Sequence, residues 1–525
     1  MPKITIDGRE VDVDAGATIL DAAEKLGIEI PTMCYLRGHE PTTSCMVCVV
    51  KIVGGNTLVP ACGTLVRDGM QIENDCEEVR EARKAALELL LSDHVGDCMG
   101  PCMMGCPAHM DIPLMIRQIA AGRMTDAIAT VKRDIALPAV LGRICRAPCE
   151  NVCRRAQHDQ AVSICLLKRY VADVDLAADE SYLPKCAEPR GKRVGIIGAG
   201  PAGLAAAYYL QRDGFECVVV DEHDEAGGML RYGVPEEQLP RDVLTNEIAQ
   251  IEKLGVRFRL GIRVGTSISM EEVCKQFDAV FVAVGELKPG DAEALQFEEC
   301  EKIKVDGATY ATAVPGVFAG GDAVRMRKMA VRAVADGKEA AQSIAQYLMG
   351  QDVLGPEKPF NSRMGKLSEG EMPVFLESAS SEVRQEPFGV ATALTDEEAR
   401  IESLRCLHCD CRKPDACLLR QYAHAFDARQ TRYKASRRLF VQQTQHPDVI
   451  YEPGKCIDCG ICIETASKAG EALGLTFVGR GFDVRVAVPF DATLAEGLRT
   501  AAAACVAACP TGALAFKEGG TSGAE

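Results

Sequence analysis

The sequence predicts a multidomain chain of mixed α/β and α+β class, and three observations predict it. Its 525 residues are enough for about three to five domains. Over residues 192–222 a buried strand, a glycine-rich turn, a helix and a second strand follow one another, the pattern of an α/β unit. On both sides of that unit, most of the 25 cysteines are bunched in short-spaced groups, and each group needs its own small frame.

Composition narrows the classes. With 47% apolar residues the chain can bury a sizeable core. A secreted disulfide scaffold would be short and preceded by a leader. Here Met1-Pro2-Lys3-Ile4-Thr5 is already an alternating strand pattern. Cysteines in a long intracellular chain are more often metal ligands, so metal ligation in a cytoplasmic protein is the expectation. No run of about 18 apolar residues occurs, so no membrane span is expected. A net charge of −16 leaves no basic stripe to neutralise phosphates, which argues against nucleic acid as a partner.

The elements follow in order. Lys3–Ile6 and Glu10–Val13 flank Asp7-Gly8, a hairpin signal, and Thr18 to Leu26 has helical periodicity. Residues 79–93 form a strong helix pattern on Val79, Ala82, Ala86, Leu89 and Leu90. Residues 94–185 read as helices broken by cysteine loops, with Pro107, Pro113, Pro138 and Pro148 as punctuation. Residues 277–285 and 316–322 are apolar strands ending in glycine, and 323–349 reads as a helix. The expected domains are 1–80, 81–188, 189–350, a linker or arm over 351–395, a four-cysteine segment over 396–440, and 441–525.

Cys34, Cys45, Cys48 and Cys62 form a C-x10-C-x2-C-x13-C array in turn-rich sequence. Four thiolates suit a [2Fe–2S] centre; structural zinc is the alternative. The wide first gap and the strand–hairpin–helix start favour iron. Residues 1–95 resemble the N-terminal ferredoxin domain of the complex I large iron–sulfur subunit, iron-only hydrogenases and NAD-linked formate dehydrogenases. That resemblance implies a β-grasp ferredoxin fold.

Cys98, Cys102 and Cys106 recur at four-residue spacing, as do Cys145, Cys149 and Cys153. Cys106-Pro107-Ala108-His109-Met110-Asp111-Ile112-Pro113, Gly142-Arg143-Ile144-Cys145 and Pro148-Cys149-Glu150 resemble the N-terminal domain of the glutamate synthase small subunit and of dihydropyrimidine dehydrogenase. The resemblance implies a helical domain with two [4Fe–4S] clusters. One falls to Cys98, Cys102 and Cys153, the other to Cys106, Cys145 and Cys149. Each lacks a fourth ligand. The family's position for the second cluster is Lys168 here, a poor ligand. Cys165 lies three residues earlier on the same helical face and is expected to substitute. For the first cluster, His94 sits four residues before Cys98, a start that also occurs in complex I-like chains. An imidazole ligand would raise the cluster potential. The plainer reading of His94 is a capping or supporting histidine.

Arg193-Val194-Gly195-Ile196-Ile197 runs into Gly198-Ala199-Gly200-Pro201-Ala202-Gly203, and the second strand ends at Asp221. The glycines admit a pyrophosphate to the helix N-terminus, and Asp221 would bind ribose hydroxyls. Gly227-Gly228-Met229-Leu230-Arg231-Tyr232-Gly233-Val234-Pro235 resembles the flavin-contact segment of the glutamate synthase small subunit family, which puts Gly228 and Arg231 at the flavin. Phe281-Val282-Ala283-Val284-Gly285 resembles the strand closing that site, and Val317-Phe318-Ala319-Gly320-Gly321-Asp322 the second FAD fingerprint. The resemblance implies a Rossmann-type FAD domain. The family places a nicotinamide domain between the last two segments. Here about 30 residues separate them, the length of one βαβ unit. The expectation is an FAD site without its own NAD(P)H site.

Cys406, Cys409, Cys411 and Cys417 form C-x2-C-x-C-x5-C, expected to hold a [4Fe–4S] cluster, with zinc as the alternative. Cys456, Cys459 and Cys462 open a bacterial ferredoxin motif, which Cys509 before Pro510 would complete. The second motif has decayed, with Arg499 and Ala502 at cysteine positions, so Cys505 reads as a relic. This tail resembles the ferredoxin-like segments of complex I-type and hydrogenase chains. Cys76, Cys186, Cys217, Cys274 and Cys300 read as isolated core or surface thiols.

No Ser–His–Asp set and no P-loop occurs. The expectation is an oxidoreductase subunit carrying one FAD, one [2Fe–2S] and up to four [4Fe–4S] clusters. Its partners would be complex I-like NADH-oxidising, hydrogenase-like or formate dehydrogenase-like subunits, or a ferredoxin. A flavin that splits electron pairs is compatible with this set. The alternative is a self-contained NAD(P)H-dependent flavoprotein of the glutamate synthase small subunit type.

Overall fold

A computed structural model describes residues 1–55, 57–297, 302–387, 393–433 and 436–517; Cys300 lies outside them. The chain divides into two compact units. One comprises Met1–Gly100, Pro359–Ser378 and His408–Glu525; the other comprises Pro101–Lys358 and Ala379–Leu407.

The first unit opens on a five-stranded sheet in the order Arg9–Asp12, Lys3–Ile6, Gln71–Glu73, Val49–Ile52, Thr57–Pro60. The hairpin pairs Ile4 with Val11, and its turn residues Asp7 (φ 48°) and Gly8 (φ 78°) are both left-handed, which suits strand twist. Gln71–Glu73 runs parallel to the first strand, as a β-grasp requires. Helix Ile19–Lys25 is fixed by a Thr18–Asp21 capping box and buries Ile19, Ala22 and Ala23 on Ile4, Ile6, Val50 and Ile72.

Helix Glu77–Ser92 turns a different face inward than its apolar pattern predicts. Val79, Arg83, Ala86, Leu87 and Leu91 are buried, while Leu89 is 56% exposed. Arg83 is the reason: its guanidinium donates to the Val49 carbonyl at 2.9 Å and to Asn74 Oδ1 at 2.7 Å. A fully hydrogen-bonded arginine can face a core, and hydrophobic periodicity does not register it.

Later in this unit, Val449–Tyr451 pairs antiparallel with Leu514–Phe516. Helices Ile461–Lys468 and Ala502–Ala508 pack beside that pair, around Leu475, Leu494 and Val506. A second antiparallel pair joins Thr476–Val478 to Arg485–Ala487.

The second unit begins with six α-helices and one short 3-10 helix between Pro101 and Ala177. Pro113, Pro138 and Pro148 stand in the first turns of three of them, where no amide hydrogen bond is lost. A parallel five-stranded sheet follows in the order Val317–Ala319, Ala279–Val282, Arg193–Ile197, Glu216–Val220, Arg257–Arg259. Val317 pairs with Val280 directly. Between those two strands, the described residues hold one named element, the four-residue helix Asp291–Ala294. The helix read over 323–349 spans Ala330–Leu348 and crosses helix Pro201–Arg212 so closely that a Cβ on Gly337 would stand 2.2 Å from the Ala202 carbonyl oxygen.

Candidate redox sites

In the first unit, Cys34, Cys45, Cys48 and Cys62 come together, all buried, with the sulfurs of Cys48 and Cys62 3.4 Å apart. Hydrogen bonds among the thiols pull Cys34 well down and push Cys45 and Cys62 up, while Cys48 falls to about 7. Thr43 and Met46 take left-handed backbone (φ 52° and 55°), so the loop is bent tightly around the sulfurs.

Cys456, Cys459, Cys462 and Cys509 line one small cavity, closed by Tyr451, Val486 and Thr511. Burial raises the Cys459 thiol to about 12 and pushes Cys456 and Cys462 up as well. A thiol so disfavoured as an anion becomes a thiolate only when a cation shares its space. Cys505 does not line the cavity; its buried thiol faces the Cys462 carbonyl at 3.5 Å.

These two sites adjoin. The Thr42 hydroxyl lies 3.2 Å from the Cys34 carbonyl oxygen and 3.4 Å from that of Cys459.

Cys98 was expected beside Cys102 and Cys153. Its N–H donates to the Ser362 carbonyl at 3.2 Å, and its carbonyl accepts from the Cys411 N–H at 3.3 Å. Burial raises the Cys417 thiol to about 12, and the charges of Cys411 and Cys98 add to this. Cys409 belongs to the same unit and is half-buried. His94 is also half-buried; burial and the neighbouring Lys455 charge push its imidazole down to about 3, so the ring is neutral. Lys455, 2% exposed, pairs with buried Glu452. Burial disfavours its charge, but Cys411 and Glu452 outweigh burial and hold it protonated. Nothing in the sequence pattern marked this lysine except its place directly before Cys456.

In the second unit, Cys106, Cys145, Cys149 and Cys165 line a small cavity together with Lys168. The hydrogen bond from Cys165 pulls Cys145 down to about 6 and pushes Cys165 up. Lys168 is 5% exposed; burial opposes its charge, and the four surrounding sulfurs raise it. Cys102, Cys153 and Cys406 all pack on this unit's core.

Four thiols facing one buried pocket are a donor set that suits an iron–sulfur cluster. Among the described residues, no three His, Cys, Asp or Glu side chains close to the distances of a single metal ion.

The dinucleotide turn follows from backbone contacts. Gly198 has φ 106°, and a Cβ on Gly203 would stand 1.9 Å from the Gly198 carbonyl oxygen. Gly200 caps helix Pro201–Arg212, Pro201 opens it, and Ala202 is buried in its first turn. Asp221, at the end of the second strand, accepts from the Ala199 N–H at 2.6 Å and from His223 Nδ1 at 2.8 Å. His223, which the sequence did not single out, stacks on Tyr232 with centroids 4.4 Å apart. Gly228 (φ 50°) brings the 227–233 segment onto the turn, its missing Cβ only 2.8 Å from Gly200 Cα. Arg231 faces inward, donating to the Ala226 carbonyl at 2.8 Å. Gly285 (φ 79°) ends the stretch after strand Ala279–Val282, and a Cβ on Gly321 would meet that of Ala202 at 3.2 Å. Asp322 accepts from the backbone N–H groups of Arg327 and Lys328. No described helix is long and apolar enough to cross a membrane.

Comparison with known proteins finds matches to three parts of the chain. Residues 2–77 match the family model of the 2Fe-2S iron-sulfur cluster binding domain. Residues 73–180 match that of dihydropyrimidine dehydrogenase domain II, 4Fe-4S cluster, and residues 196–253 that of the NAD(P)-binding Rossmann-like domain. The chain is 40% identical over 206 residues to the beta subunit of the NADP(+)-dependent formate dehydrogenase of Moorella thermoacetica, covering 35% of this chain and 29% of that one. It is 40% identical over 187 residues to the beta subunit of the NADPH-Fe(3+) oxidoreductase of Geobacter sulfurreducens, covering 35% and 28%. To the glutamate synthase [NADPH] small chain of Escherichia coli it is 35% identical over 199 residues, covering 37% and 42%. The chain thus spans between about a quarter and a half of the length of these relatives. One polypeptide joins a 2Fe-2S domain, a 4Fe-4S domain and a Rossmann-like dinucleotide-binding domain.

Proposed function

We propose that this chain is an electron-transfer subunit of a multi-subunit oxidoreductase in the cytoplasm, relaying electrons between partner subunits through iron–sulfur clusters and an FAD. The observation that carries this reading is the adjacency in the first unit: the loop of Cys34 and the loop of Cys459 share the Thr42 hydroxyl. Two cluster sites in contact form a relay, whereas a storage or purely structural protein gains nothing from the contact. When bound, clusters and flavin supply the one- and two-electron chemistry. The chain's own residues exclude water from the sulfurs, place cations such as Lys455 and Lys168 beside them, and hold the sites close.

For the ligands we infer Cys34, Cys45, Cys48 and Cys62 for [2Fe–2S], and two tetrads for [4Fe–4S]: Cys456, Cys459, Cys462, Cys509 and Cys106, Cys145, Cys149, Cys165. FAD would lie on Gly198–Gly203, with Asp221 at the ribose. The direct pairing of Val280 with Val317 supports a flavin domain with no nicotinamide domain between those strands. Partners would be an NADH-oxidising, hydrogenase-like or formate dehydrogenase-like subunit, or a ferredoxin.

A second reading, a self-contained NAD(P)H-dependent flavoprotein, is favoured by the match of residues 196–253 to an NAD(P)-binding domain. One experiment separates the two. The reconstituted chain is mixed anaerobically with NADH, then NADPH, then dithionite, and flavin and cluster absorbance are followed. Bleaching by dithionite alone is the expected result. Rapid bleaching by either nucleotide would establish the second reading instead.

A further inference from the structure

The structure assigns the cysteines of the 406–417 segment to two different sites: Cys411 and Cys417 join Cys98 in one cluster site of the first unit, and Cys406 joins Cys102 and Cys153 in another of the second. This inference rests on the iron–sulfur reading above. It replaces a self-contained four-cysteine motif by two composite sites built from segments about 300 and 250 residues apart in sequence.

Backbone contacts place the first set. The Cys411 N–H donates to the Cys98 carbonyl at 3.3 Å, so these two loops run side by side. Gly512 is the common neighbour of the other sulfurs. A Cβ there would stand 2.3 Å from Cys411 Sγ, and the Gly512 N–H points at the Cys417 thiol. The Leu418 N–H donates to the Pro510 carbonyl at 2.9 Å, which pins Cys417 against the same turn. On the other side, the Ser362 N–H donates to Cys98 Sγ at 3.4 Å. Amides aimed at sulfur are the usual surroundings of cluster thiolates and tune their potential. His94, four residues before Cys98, remains the fourth donor that the sequence offers this set.

The second set is held by two buried arginines. Arg155 Nη1 donates to the Arg405 carbonyl at 2.7 Å, and Arg405 Nη2 to the Gln160 carbonyl at 2.9 Å. Each thereby ties the turn after Cys153 to the residue before Cys406. Helix Pro101–Gly105, which carries Cys102, meets the same loop: a Cβ on Gly105 would stand 2.4 Å from Val152 Cγ2. Cys406 thus takes the place that the family resemblance gave to Cys98.

The test counts iron and records low-temperature EPR spectra on the full chain, purified anaerobically and reduced with dithionite. Cys98→Ala and Cys411→Ala are each expected to remove one [4Fe–4S] cluster, about four irons. The C98A/C411A double variant should lose no more than either single. C102A, C406A and their double should behave in the same way, with loss of a different signal. If C98A/C411A loses twice the iron of either single while C406A/C411A loses only one cluster, the assignment is overturned in favour of a Cys406–Cys417 motif. Retained signals of the other clusters show that a variant has folded. Gly512→Ala is a milder second probe, and it should perturb the signal lost in C411A and leave that lost in C406A. A wild-type chain without iron would instead overturn the iron–sulfur reading itself.

Discussion

The carbonyl oxygens of Cys34 and Cys459, more than 400 residues apart in sequence, lie within reach of one Thr42 hydroxyl, at 3.2 and 3.4 Å. One hydrogen shared between two acceptors holds the loops of two thiol sets in contact. Thr42→Val removes the donor and keeps the shape. Stability should fall by about 0.5–1.5 kcal/mol, the net worth of one neutral hydrogen bond. Electron exchange between the two sites should slow, while Thr42→Ser retains it. Denaturant titration and flash-reduction kinetics read the two effects.

Lys168 places a buried cation among Cys106, Cys145, Cys149 and Cys165. Adding an electron to a site beside a positive charge is favoured, so Lys168→Met should lower the midpoint potential of that cluster. A shift of about 59 mV, equivalent to a tenfold change in a one-electron equilibrium, is the expected scale. Lys168→Arg should restore most of it, which a change in packing alone would not. EPR-monitored redox titration measures both.

Gly203 cannot carry a side chain, because a Cβ would overlap the Gly198 carbonyl oxygen at 1.9 Å. Gly203→Ala should therefore open the dinucleotide turn. The expected outcome is loss of bound flavin, read as the flavin-to-protein ratio, with destabilisation of about 1–3 kcal/mol from overpacking. Gly228→Ala should act alike, because its Cβ would meet Gly200 Cα at 2.8 Å in a left-handed backbone.

Glu371 is 1% exposed and accepts from the Arg437 guanidinium, the Phe440 N–H at 2.7 Å and the Ser368 N–H at 2.6 Å. The bond from Arg437 holds its carboxyl down at about 2, against an ordinary 4.5. The folded state therefore binds this proton less readily than the unfolded one. The stabilisation is complete above about pH 4.5 and is lost as pH falls through about 2. Glu371→Gln should cost about 1.5–3 kcal/mol at pH 7, the scale of a hydrogen bond to a charged group. Its gap from the wild type should narrow steadily toward pH 3 in denaturant titrations.

Whatever lies within short reach along the chain was legible before folding. Cys456, Cys459 and Cys462, three residues apart in turn, were readable as a unit from spacing alone. The same holds for the glycine turn 198–203, where covalent geometry leaves only glycine able to close the turn. The hairpin at Asp7-Gly8 and the helical periodicity from Thr18 to Leu26 were legible for the same local reason. Helix 77–92 was legible as a helix but not in its buried face, because Arg83, held by the Val49 carbonyl and the Asn74 side chain, carries no hydrophobic signal.

Which distant segments meet was settled only by packing. The family resemblance grouped Cys98 with Cys102, and spacing grouped Cys406 with Cys411; the boundaries between the compact units fall at residues 100–101 and 407–408. Each segment is buried by the core of its own unit. The same physics placed Lys455 and Lys168: a cation is tolerated in the interior only where opposite charge surrounds it, and that surrounding exists only once the loops have packed.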